Sequence, residues 1–225
     1  MPSDATAPSP GRLSADDAAV LLIDHQAGLL SLVQDYSPDE FRNNVLALAD
    51  TAKHFRLPTI LTTSFENGPN GVLMPELKAA FPDAPFIPRP GQINAWDNED
   101  FVAAVKATGR NTLIIAGTIT SVCMAFPCIY AVHDGYKVFA VVDASGTYSK
   151  MAQEITLARI VQAGGVPIDT AAVCSELQKT WSRPDAAQWA EAYSALFPPY
   201  QLLIESYSKA QEVVTQHEQL DSVLA

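Results

Sequence analysis

The chain is poor in sulfur and in positive charge. Three cysteines occur in 225 residues, an odd number that cannot all pair. Cys123 and Cys128 stand five apart, with neither a CxxC spacing nor matching histidines beside them. A disulfide framework and a structural zinc site are therefore not expected. Lys and Arg number 14 against 25 Asp and Glu, for a formal charge of −11. With no basic cluster to offset that charge, a phosphate backbone or an anionic membrane surface would be repelled. Apolar runs are short: "AAVLLI" at 18–23 falls far below the roughly 20 residues a membrane helix needs. The opening "MPSDATAPSPGRLSADDAAV" has neither the basic start nor the apolar stretch of a secretory signal. These absences leave a reduced, cytoplasmic protein with a small-molecule partner as the expectation, and exclude nucleic acid and membrane.

What is present is ordinary globular material, 48% hydrophobic and 17% charged. Residues 1–15 read as a polar, loose tail. Five apolar runs read as strands: "AVLLID" (19–24), "PTILTT" (58–63), "TLIIAG" (112–117), "KVFAVVD" (137–143) and "GVPI" (165–168). They are continuous rather than alternating, as parallel strands covered on both faces are. Between the first two, Ser37, Pro38 and Glu40 form a capping box ahead of Phe41, Val45, Leu48, Ala52 and Phe55 at helical spacing. Further helices are expected over "NEDFVAAVKATG", from near Thr120 to Gly135, from about Lys150 to Gly164, and after Thr170. Strand and helix in alternation predict a three-layer α/β/α fold with a mostly parallel sheet, Rossmann-like. The domain is expected over 16–182. Beyond it, 183–225 lose the strand signal and become helical, broken at Pro198-Pro199, with Leu202, Leu203, Tyr207, Ala210 and Val214 as an apolar stripe. That stripe would pack on a neighbouring subunit or on its own core.

In such sheets ligands bind beyond the carboxyl ends of the strands. Asp24 ends the first run, and Cys123 follows "TLIIAG" by a few residues, so both project toward that edge. A cysteine in the first turn of a helix feels unpaired N–H groups that favour its thiolate and could hold an oxyanion. A nearby carboxylate could take the thiol proton. Pro127, four residues after Cys123, cannot donate to the Cys123 carbonyl, which predicts a distorted helix at the cysteine. The residues alone leave a second reading open, in which Cys123 is a small apolar filler and Asp24 a loop or helix cap.

Three segments narrow the choice. "LLIDHQAGLL" with Asp24, "PRPGQINAWDNEDF" with Arg89 and "LIIAGTITSVCMAF" with Cys123 resemble the signature segments of the isochorismatase-like cysteine hydrolases, and of their YcaC-like branch in particular. The likeness runs from about Asp16 nearly to the end of the chain. It implies an Asp–Lys–Cys triad with Asp24 as base and Cys123 as nucleophile, a cis peptide at Ile119-Thr120, and an oxyanion hole from the N–H groups of Thr120 and Cys123. The chain departs from the family in placing Arg89 where the triad lysine stands. Arginine can stabilise charge but cannot give up a proton near neutral pH. The metal-binding nicotinamidase branch carries an Asp-x-His pair after the second strand, where this chain reads "TTSFENGPNG". His25, His54, His133 and His217 are scattered, so neither metal nor cofactor is expected. True isochorismatases work without the cysteine; its presence here favours thiol chemistry. Gln26, Phe65, Glu66, Asn94 and Trp96 fall in loops at the expected mouth and are candidates for a substrate pocket. The resemblance further implies a ring-shaped homo-oligomer, an octamer. A small amide, imide, ester or nitrile-like substrate is the leading expectation. The alternative is a non-hydrolytic protein of the same fold that binds a metabolite or responds to oxidants through Cys123.

Overall fold

The computed structural model describes residues 12–216. The chain divides into two compact units between Lys179 and Thr180, against the expected 182/183. In the first unit six strands, β1 (Ala18–Ile23), β2 (Thr59–Ser64), β3 (Phe86–Arg89), β4 (Thr112–Gly117), β5 (Lys137–Val141) and β6 (Val166–Ile168), form one sheet. Their order is β3-β2-β1-β4-β5-β6 and every pairing is parallel. β3 is the strand not expected from sequence. It has four residues, carries Pro88, and pairs on one side only; proline lacks the ladder donor and is tolerated at an edge.

The helices of this unit are α1 (Ala27–Leu30), α2 (Pro38–His54), α3 (Pro75–Ala80), α4 (Glu99–Ala107), α5 (Ala125–His133), α6 (Lys150–Ala163) and α7 (Thr170–Gln178). Alternate residues of the strands feed two separate cores. Ala18, Val20 and Leu22 of β1 pack with Phe41, Val45 and Leu48 of α2, Leu77 of α3 and Val173 of α7. Ala19, Leu21 and Ile23 pack on the other face with Phe101 of α4, Ala125 and Cys128 of α5 and Ile160 of α6. Every residue of β1, β2 and β4 is buried, which is why these strands are apolar throughout instead of alternating. The result is the expected three-layer α/β/α fold. Ser37 caps α2 by accepting from the Glu40 N–H at 3.3 Å, and Gly164 ends α6 at a φ of 101°, a conformation that favours glycine.

The expected loose tail of residues 1–15 overlaps the described residues only at its end. Residues 1–11 lie outside the described residues, but Leu13 is enclosed in the α2-side core, and its N–H donates to Glu176 Oε2 at 2.9 Å. The second unit holds α8 (Ala186–Leu196) and α9 (Pro198–Gln216). Trp181 meets Trp189 edge-on at 4.5 Å between ring centroids, and Trp189 stacks on Tyr193 at 4.7 Å. Leu202, Leu203, Tyr207, Ala210 and Val214 are exposed along α9. Among the described residues no helix is long and apolar enough to cross a membrane.

Candidate active site

The strand order reverses between β1 and β4, the crevice where open parallel sheets bind ligands. Asp24 follows β1 with a φ of 57°, a left-handed conformation that costs a non-glycine residue about 1 kcal/mol. Its N–H donates to the Thr62 carbonyl at 2.9 Å and its carbonyl accepts from the Gln26 N–H at 2.7 Å. The side chain is completely buried, and Oδ1 pairs with Nη2 of Arg89, equally buried at the end of β3. The guanidinium is held on its other sides as well. Nε donates to Thr62 Oγ1 at 3.0 Å, and Nη1 reaches the carbonyls of Gln92 and Ile93. A buried ion pair stabilises only when such partners compensate its lost hydration, and here they do.

Asp24 Oδ2 is buried without a hydrogen-bond partner among the described residues. Burial pushes the Asp24 carboxyl upward, against the opposing pull of Arg89. Cys123 is the member of the trio with an opening to solvent, 9% exposed against 0% and 2% for Asp24 and Arg89. Burial first, and then the charge and hydrogen-bonding reach of Asp24, hold its thiol well above the ordinary cysteine range; Arg89 offsets this only in part. The thiol is thus close enough to Asp24 to be coupled to it, although no bond of ordinary geometry to Oδ2 forms. Burial and the Asp24 charge thus work against the thiolate that helix N–H groups were expected to favour.

The backbone around Cys123 is distorted, as Pro127 predicted. Thr120–Met124 form a π-helical turn before α5 begins at Ala125. The Ile119 carbonyl accepts from Cys123 N–H at 2.8 Å and from Met124 N–H at 3.4 Å. Two sequence expectations are corrected here. The cis peptide joins Thr118 to Ile119, not Ile119 to Thr120. Thr118 still extends the sheet by donating to the Ile23 carbonyl at 3.0 Å, and Thr120 is already tied to the Gly146 carbonyl at 2.9 Å, so the chain turns between them. The Thr120 and Cys123 N–H groups, expected to line an oxyanion hole, therefore both donate within the chain. Among the described residues the Ile119 and Ser121 N–H groups, on either side of Thr120, make no hydrogen bond.

The segment after β5, "ASGT" at 144–147, braces this turn, and sequence reasoning missed it. Ser145 Oγ accepts from Gly117 N–H at 3.0 Å and donates to the Val141 carbonyl at 2.7 Å. Ser121 and Thr147 hydroxyls meet at 3.3 Å. His25 Nε2 donates to the Ala144 carbonyl at 3.0 Å, and burial lowers its pKa to about 4, so the ring beside Asp24 is neutral. A run of small polar residues at a strand's carboxyl end was the available signal. Gly117 itself lies beneath the turn. A Cβ there would come within 3.1 Å of the Ile23 carbonyl oxygen and Met124 N, and 3.2 Å of the Cys123 carbonyl carbon.

The five pocket candidates divide. Gln26 is a clamp: its Oε1 accepts from Ser64 N–H at 2.8 Å, and its Nε2 donates to the carbonyls of Ser64 and Gly71 at 3.0 and 2.5 Å. Glu66 accepts from Leu73 N–H at 3.2 Å, and Asn94 caps the turn at Trp96 at 3.1 Å. Trp96 donates to Asp134 at 2.8 Å, beyond the far end of α5 and about 16 Å along the helix axis from Cys123. Phe65 is different, half exposed and bonded through its N–H to the Arg89 carbonyl at 3.0 Å. An apolar cavity of about 250 Å³ under Phe41, Val45 and Met74 lies on the α2 side and does not include Cys123.

The family model of the isochorismatase domain matches residues 18–172. The chain belongs to the isochorismatase family. Within it, the chain is 58% identical over 196 residues to the probable hydrolase YcaC of Escherichia coli, covering 87% of this chain and 94% of that one. A solved YcaC structure from Pseudomonas aeruginosa, with hexane-2,5-diol and covalent acrylamide, superposes with a TM-score of 0.88 at 55% identity, over 90% of this chain and all of the other. The YcaC structure from Escherichia coli, an octameric hydrolase of unknown specificity, gives 0.88 at 57% identity, over 91% and 100%.

Proposed function

We propose that the protein is a cysteine hydrolase of the isochorismatase family that cleaves a small amide, imide, ester or nitrile-like substrate through a covalent intermediate on Cys123. The observation that carries this reading is the meeting, at the strand-order reversal, of a slightly open thiol with a buried Asp24–Arg89 pair that leaves Oδ2 unpartnered. A carboxyl pushed upward is a better general base than one at the surface, since its pKa moves toward working pH.

In the first half of the cycle the sulfur bonds the substrate carbon as the thiol proton passes to Asp24. The carbonyl electrons move onto oxygen, where Ile119 N–H serves as donor in place of the Thr120 N–H first expected. With an amide, imide or ester the adduct collapses, Asp24 returns the proton to the departing nitrogen or oxygen, and a thioester remains; with a nitrile the proton goes to the substrate nitrogen and a thioimidate forms with no group leaving. Water then adds, giving its proton to Asp24, and the acid leaves as the proton returns to sulfur. Arg89 balances charge throughout and shuttles no proton.

The covalent acrylamide in the Pseudomonas aeruginosa relative supports a nucleophile in this branch. The octamer of the Escherichia coli relative supports a homo-oligomer, with the exposed stripe of α9 in the 183–225 extension as its contact surface. Oxidant sensing is the weaker alternative, because sulfenate formation needs a ready thiolate and burial together with the Asp24 charge works against one at Cys123. The test is incubation with a panel of small amides, esters and nitriles, followed by intact-mass analysis. A substrate that turns over and leaves an acyl mass on Cys123, both lost in Cys123→Ala, is the expected result. Turnover that survives in Cys123→Ala would sink the proposal.

A further inference from the structure

We propose that the Cys123 site admits electrically neutral substrates, small amides first among them, and rejects carboxylates. This rests on the hydrolase reading above and adds the charge of what enters. A site that took an acid would keep a cation free to meet it. Arg89 is not free: Asp24, Thr62 and the carbonyls of Gln92 and Ile93 occupy its three nitrogens, and its side chain has no exposed surface. The Asp24–Arg89 pair sums to zero charge, so a buried carboxylate beside it would go uncompensated.

The polar atoms left open point to the same class. Asp24 Oδ2 accepts no hydrogen bond of ordinary geometry and has only the Cys123 thiol within reach, and Thr118 Oγ1 and Thr120 Oγ1 are buried hydroxyls without partners. Ile119 N–H is a donor without an acceptor. A primary amide carries both N–H and C=O and can answer acceptor and donor together. A carboxylate has only acceptors and would face the Asp24 oxygen with like charge.

The residues flanking Arg89 toward solvent are apolar. Phe65 donates its N–H to the Arg89 carbonyl, the Ile93 carbonyl lies 3.5 Å from Nη1, and both side chains are exposed. Lys150, a base on the same edge, acts on Asp35. The chain as a whole carries −11, which further repels anions.

Two near-isosteric electrophiles test this on the full-length protein: neutral iodoacetamide and anionic iodoacetate. Each reacts by the same displacement, in which the S–C bond forms, the C–I bond breaks, iodide leaves with the electron pair, and the thiol proton passes through Asp24 to solvent. Rates at Cys123 are read by peptide mass spectrometry, with free 2-mercaptoethanol as reference. The amide-to-acid rate ratio at Cys123 is expected to exceed that of the reference by about tenfold or more. A ratio equal to or below the reference overturns charge selection while leaving the hydrolase reading intact. Cys123 inert to both reagents overturns that reading itself. Ile93→Lys, a change at a side chain 65% exposed, is expected to speed iodoacetate severalfold and leave iodoacetamide unchanged. An unchanged ratio in that variant overturns the placement of Ile93 on the approach.

Discussion

Cys123 and Cys128 stand five residues apart, on a π-helical turn and on the helix that continues it. Both belong to the same core cluster, and burial pushes both thiols upward. For Cys128 burial is the whole cause. For Cys123 a carboxylate adds to it, a guanidinium opposes it, and a narrow opening remains to solvent. The contrast separates two ideas that are often joined. A reactive cysteine need not rest as a thiolate; it needs a base at hand when an electrophile arrives. In the proposed reading the strand order supplies that base by bringing the ends of β1 and β4 side by side.

The sharpest break of the comparison is deletion. Cys123→Ala is expected to lose all covalent labelling by a carbonyl substrate, while Cys128→Ala keeps it, as intact-mass spectra would record. Next comes the base. Asp24→Asn should cut turnover by about 10²–10⁴-fold, the usual contribution of a general base. Its effect on the thiol has the opposite sign. The charge of Asp24 raises the Cys123 pKa, so its removal leaves Arg89 to favour the thiolate. The alkylation-rate profile of Cys123 should therefore move to lower pH even as catalysis falls, and an unmoved or upward-shifted profile would contradict the coupling. Arg89→Ala strands a buried carboxylate and should cost about 3–5 kcal/mol in urea unfolding, with part recovered in the Asp24→Asn/Arg89→Ala double variant. Smallest is Cys128→Ala, a lost sulfur in a closed core, at about 1 kcal/mol with labelling kinetics unchanged.

Much of this was legible from local pattern. Asp24 stood out because a charge closes an unbroken apolar run, and Cys123 because it follows the glycine that ends another. The cap at Ser37 and the distortion from Pro127 were readable because both are effects of neighbours within a few residues. What could not be read depended on partners far along the chain. Thr120 N–H was expected to stay free, but Gly146 takes it from 26 residues away. Gln26 and Glu66 looked like pocket residues because they are polar and lie in loops, yet their side chains hold the loop of residues 64–73 together. β3 was hidden by Pro88, although it delivers Arg89. An edge strand with one partner needs little apolar content and so leaves little trace.

Gly117 gives the site a fixed gauge. Backbone from the end of β1 and from the turn that carries Cys123 closes on position 117 from both sides, leaving no room for a side chain. A methyl group at position 117 would act as a shim, pushing the backbone of Ile23, Cys123 and Met124 apart by a few tenths of an ångström without replacing any triad residue. The protein would then keep its full set of reactive groups and lose the reach between them.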